Sequence, residues 1–144
     1  MTGPVVVRPV RLVQVCRTAA ALLVLVFTAV AVSLGTGGDA EVFGFADQVA
    51  MVVLGLILAG AVLSLTRARV EADEGGIRVR NVVGERTLPW QVVREVRLDV
   101  GAPWAQLELQ DDDTIALLAV QANDKERAFR AVLDLRALLA ESRT

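Results

Sequence analysis

Apolar residues follow two different periods along this chain. Between Arg17 and Asp39, and again between Asp47 and Arg67, the sequence is apolar or small and carries no charge. From Arg67 onward apolar and polar residues alternate in short blocks, and the C-terminal segment repeats at helical spacing. Each uncharged run holds about 20 residues, so as a helix it is about 30 Å long, the thickness of a bilayer's hydrocarbon core. A helix in lipid satisfies its own backbone, and such side chains carry no burial penalty there. The pattern predicts a two-helix transmembrane hairpin followed by one small domain. Its parts are a tail over residues 1–17, spans over 18–38 and 48–66, a loop over 39–47, and a soluble domain over 67–144.

Charge sets the expected orientation. Arg8, Arg11 and Arg17 precede the first run and Arg67 and Arg69 follow the second, whereas the loop holds Asp39, Glu41 and Asp47 and no basic residue. The positive-inside rule then puts both termini in the cytoplasm, the spans in the plasma membrane, and Phe43 and Phe45 at the outer interface. A cleaved signal peptide is the rival reading of the first run. That run is long for one, and no A-x-A site precedes Asp39. Neither run contains an ionisable residue, which argues against a transporter or channel built by this chain alone. Gly55 and Ala59 lie four apart, as do Gly60 and Ser64. That spacing allows close helix approach, within the hairpin or between copies.

In the second half, residues 69–72 and 77–80 alternate around the turn sequence Asp73-Glu74-Gly75-Gly76. With that tetrad as the loop, Ala72 faces Ile77, Glu71 faces Arg78, Val70 faces Val79, and Arg69 faces Arg80. A third strand is expected over 85–88, ended by Pro89, which has no N–H for a ladder. Residues 91–99 read as a helical turn running into a strand. Residues 104–110 and 114–120 read as strands around the turn Asp111-Asp112-Asp113. The chain closes with a helix whose expected N-cap is Asn123, with Glu126 completing a capping box. Phe129, Val132 and Leu133 are its expected apolar face. About six strands and one helix suggest an α+β domain, a bent antiparallel sheet or small barrel closed by the helix.

Composition removes several function classes. The chain has no histidine, and Cys16 is its only cysteine. An internal disulfide, a Cys/His zinc site and any triad or dyad using histidine are thereby excluded. Palmitoylation of Cys16 at the membrane edge competes with a plain interfacial role. The formal net charge is −2, so no overall field favours nucleic acid, and no nucleic-acid partner is expected. No glycine loop suited to phosphate and no carboxylate pair in a cleft is evident, so the chain reads as non-enzymatic, with no cofactor and no metal.

The segments V-E-A-D-E-G-G-I-R-V-R-N, T-L-P-W-Q-V-V-R-E-V and G-A-P-W-A-Q-L-E-L, the acidic turn and the final helix together resemble bacterial pleckstrin-homology-like (PH-like) domains. They are similar in particular to the actinobacterial family named after the low-molecular-weight protein antigen 6, whose members commonly place this domain after two spans. The resemblance covers residues 67–142, with L-P-W its most specific part. It implies a seven-stranded bent sheet closed by a C-terminal helix, one strand more than the six counted here, and it implies no activity.

Three constellations are candidates for chemistry. Arg69, Arg78 and Arg80 superficially resemble the basic pattern of phosphoinositide-binding PH domains, and guanidinium forks suit phosphate. The competing reading is a solvated sheet face balanced by Glu71 and Glu85. Asp111–Asp113 suits a hairpin turn better than a calcium loop, which needs more oxygens at wider spacing. Trp90 and Trp104 read as structural plugs rather than ligand platforms, and Phe129 as a structural residue on the apolar face of the closing helix. The expected function is a membrane-anchored binding or scaffolding module, the alternatives being an anionic lipid headgroup-binding domain or a subunit of a larger envelope membrane complex. Its partners would be the bilayer, an unknown protein or a second copy, and possible anionic lipid headgroups.

Overall fold

A computed structural model of the chain describes residues 3–37 and 42–144; the loop acids Asp39 and Glu41 lie outside the described residues. In chain order the elements are β1 (Val5–Val7), α1 (Val10–Thr36), α2 (Phe45–Ser64), β2 (Arg69–Asp73), β3 (Gly76–Arg80), β4 (Glu85–Leu88), β5 (Val93–Arg97), β6 (Trp104–Leu109), β7 (Thr114–Gln121) and α3 (Glu126–Glu141). They separate into two compact units: Met1–Arg11 with Arg67–Thr144, and Leu12–Thr66.

The first unit carries the strands. Four form one antiparallel sheet in the order β1-β2-β3-β4, and three form a second in the order β5-β6-β7. The β2–β3 register is the one the turn sequence predicts, with Arg69 opposite Arg80, Val70 opposite Val79, Glu71 opposite Arg78 and Ala72 opposite Ile77. The Asp73 carboxylate accepts hydrogen bonds from the Gly75 and Gly76 amides at 2.8 and 3.2 Å, so the aspartate side chain closes the turn. Residues 91–99 divide as expected: a 3-10 turn over Trp90–Val92 leads into β5.

The seventh strand is the main departure from the sequence reading. The segment read as part of a tail contributes β1, with Val5 opposite Ala72, Val6 opposite Glu71 and Val7 opposite Val70. Three residues are too few for alternation to register, and the partner strand lies on the far side of both apolar helices in sequence. The domain is thus split, with the apolar hairpin inserted between its first and second strands.

The two sheets and α3 enclose one core. Val70, Ile77, Val79, Trp90, Val93, Val96, Leu107, Leu117 and Leu135 are all nearly inaccessible, and Val5 and Val7 pack against them from β1. Burying each such side chain contributes about 1.5–3 kcal/mol. Trp90 is 2% exposed, and its indole N–H donates to the Asp73 carbonyl at 2.7 Å, which ties the β2–β3 turn to the end of β4. Gly76 is demanded there, because a Cβ would collide with the Leu88 carbonyl oxygen.

The helix start differs from expectation. Asn123 lies in a 3-10 turn over Ala122–Asp124, and the N-cap position is Lys125, with φ 49° and no side-chain cap. The Asp124 carboxylate instead accepts from the backbone N–H of Arg11 at 3.3 Å. The buried face of α3 is Ala128, Ala131, Val132, Leu135, Leu138 and Leu139, while Phe129 and Leu133 are 61% and 46% exposed. Phe129 therefore lies off the buried face. Helical spacing picks out Phe129 with Val132 and Leu133, and of the three only Val132 is buried.

The second unit is the helical hairpin. Both helices are long and apolar enough to cross a membrane. Gly55 and Ala59 are buried, and a Cβ on Gly55 would come within 2.7 Å of the Phe27 Cβ, so this pair serves packing inside the hairpin. Around Gly60 the space is open.

Candidate functional site

The arginine face is built by register. Strand periodicity puts Arg69 and Glu71 on the same side of β2 as Arg78 and Arg80 of β3, away from the core. The three arginines and Glu71 line a small recess of about 220 Å³. Direct opposition of Arg69 and Arg80 is repulsive by itself, and two carboxylates relieve it. Glu71 pairs with Arg69 at 2.6 Å along the same strand. Glu85 of β4 reaches Arg80 at 2.8 Å and Arg78 at 3.3 Å. The expected Glu71–Arg78 opposition holds in register, but each residue's ion pair goes elsewhere. These five side chains carry a net charge of +1. Their guanidiniums are already engaged, so an incoming phosphate must compete with fixed carboxylates. The Arg69 Nε is buried without a hydrogen-bond partner.

The acidic turn is fully employed. Asp112, at φ 64°, pairs with Arg94 at 2.7 Å, and Asp113 faces Arg86 at 3.6 Å. These carboxylates pair with guanidiniums instead of converging on one point. At the far end of β5, the Arg97 guanidinium is pushed above its ordinary value, first by its hydrogen bond to Glu108 and then by Asp99. Trp104 is half-buried at the start of β6.

Sequence reasoning missed the side chains that close the sheet edges. Arg136 donates to the Val96 carbonyl at 2.8 Å, and Arg143 donates to the Val93 and Arg94 carbonyls at 3.1 and 2.7 Å. The outer edge of β5 is thereby occupied from α3 and the turn that follows it. Asn81 treats β7 in the same way: its amide donates to the Ala116 carbonyl at 2.9 Å, and its oxygen accepts from the Leu118 amide at 3.4 Å. Isolated polar residues of this kind carry no sequence signal, because their partners lie 35 to 50 residues away.

Comparison with known proteins agrees with this architecture. A family model described as Bacterial PH domain matches residues 67–138. That match starts just before β2 and so leaves out β1. An uncharacterised protein of Mycobacterium tuberculosis is 42% identical over 139 residues, 96% of this chain and 90% of the relative. Its Mycobacterium bovis counterpart matches equally well. The low molecular weight protein antigen 6 of Mycobacterium tuberculosis is 39% identical over 57 residues, 40% of this chain and 50% of that protein. No solved structure matches the chain. The fold, the matched domain and the near full-length relatives together show that this chain belongs to the bacterial PH domain family.

Proposed function

We propose that this protein is a non-catalytic, membrane-anchored binding or scaffolding module whose PH-like domain works at the inner face of the plasma membrane, with both termini cytoplasmic. One observation carries the reading: both ends of the apolar hairpin feed the same domain with almost no linker. Only Arg8 and Pro9 separate β1 from α1, and a single 3-10 turn over Leu65–Arg67 joins α2 to Ala68 and β2. A domain whose first two strands are joined through its own anchor is held at the bilayer and works on what it meets there. The arginines flanking the hairpin support the inner side. The partner in this reading is a protein of the same membrane or a second copy.

A second reading, anionic headgroup binding through Arg69, Arg78 and Arg80, draws on the recess those side chains line. The carboxylates of Glu71 and Glu85 weigh against it. One experiment separates the two readings. Tagged full-length protein is purified from native membranes at low and high salt, and the same protein is reconstituted beside anionic and neutral vesicles. Recovery of one protein, unaffected by Arg78→Ala with Arg80→Ala, supports the scaffold. Salt-sensitive capture of anionic vesicles, abolished by that double substitution, supports the headgroup reading and overturns the scaffold.

A further inference from the structure

Exposed strand edges template other strands unless something covers or charges them. The sheets of this domain have four edges. Arg136 and Arg143 occupy the carbonyls of β5. Asn81 bridges the edge of β7. Glu85 and Arg86 place charges along β4. Among the described residues the edge at β1 has no such device: its sequence is Val5-Val6-Val7, Val6 is 54% exposed, and its pairing is to β2 on one side. Beside it a groove of about 440 Å³ runs between β1 and α3.

We infer that this groove is a protein-docking site in which an acidic, extended segment of a partner protein pairs with β1 as an added strand. The charge on its walls selects the occupant. Arg8 at the end of β1 and Arg127 on α3 are both exposed, and neither forms an ion pair among the described residues. Arg130 is paired with Glu126 at 2.6 Å, and Asp134 is the only acid among the residues lining the groove. Backbone pairing supplies affinity that does not depend on sequence, while carboxylates on the incoming strand meet the two unpaired guanidiniums. A strand at about 3.3 Å per residue covers β1 with three to five residues. The inference rests on the scaffold reading and gives its partner a chemical class.

The test uses the full chain in nanodiscs of neutral lipid, panned against a random peptide display library. Enriched peptides should combine β-branched residues with aspartate or glutamate. Their binding, read by fluorescence anisotropy, should weaken about tenfold or more in Arg8→Glu with Arg127→Glu. Val6→Glu, an independent change at an exposed position, sets a like charge against the acidic strand and should weaken it as well. Backbone amide resonances of Val5, Val6 and Val7 should shift on binding. Absence of enrichment, enrichment of non-acidic peptides, or indifference to both variants overturns the site. Peptides that bind but perturb another surface overturn this site and leave the scaffold reading standing. No enrichment together with salt-sensitive capture of anionic vesicles overturns both.

Discussion

The N-terminal strand makes a prediction that a free tail does not. Val5 and Val7 are half-buried and pack on the core opposite Ala72 and Val70, whereas Val6 points outward and is 54% exposed. Full burial of a valine is worth about 1.5–3 kcal/mol, so half-burial is worth about 1 kcal/mol each. Val5→Ser with Val7→Ser should therefore cost about 2 kcal/mol, and Val6→Ser should stay within about 0.5 kcal/mol, the range of a surface change. A domain of this size loses about 4–8 °C per kcal/mol, so the double variant should melt about 8–16 °C lower. The assay is thermal unfolding of the full chain in mild detergent, followed by the fluorescence of buried Trp90. Equal effects at Val6 and at its neighbours, or no effect at any of the three, would refute the strand and restore the tail.

Other positions give further tests on the same melting assay. Trp90→Phe, read by circular dichroism, removes the bond to the Asp73 carbonyl and part of a buried ring and should cost about 2–3 kcal/mol; a loss below about 0.5 kcal/mol would detach Trp90 from the turn. Gly76→Ala drives a Cβ into the Leu88 carbonyl and should cost about 1–3 kcal/mol, and a neutral result would contradict that close approach. Lys125→Gly relieves a backbone at φ 49° and should raise stability by about 1 kcal/mol, with destabilisation as the contrary result.

What the sequence showed and what it hid follow from the range of the physics involved. The β2–β3 register was readable because alternation and an Asp-Glu-Gly-Gly turn act within twelve residues and agree with each other. The apolar helices were readable because each is one unbroken uncharged run, long and apolar enough to cross a membrane. The strand β1 was not readable, since its partner lies more than sixty residues away and three valines are compatible with many structures. Phe129 misled because helical spacing groups it with Val132 and Leu133, whereas the sheets cover the face of Ala128, Ala131, Val132, Leu135, Leu138 and Leu139. Alternation put Arg69, Arg78 and Arg80 on one face and named Glu71 and Glu85 as the acids that balance it. Which arginine each carboxylate takes depends on side-chain reach, which no spacing rule specifies. The guards on β5 and β7 were invisible for the same reason as β1, and without them the unguarded edge had no contrast to stand out against.

The central proposal is that the chain leaves one domain, crosses the membrane twice, and re-enters the same domain on the inner side. The direct measurement is labelling of single cysteines in a Cys16→Ser background with a membrane-impermeant maleimide. Val42→Cys lies in the loop, at an 85% exposed position, and should react in intact cells. Gly3→Cys and Thr144→Cys should react only after the membrane is opened. Reaction of Thr144→Cys in intact cells would contradict the inner placement, and Gly3→Cys and Thr144→Cys on opposite sides would contradict the split domain itself.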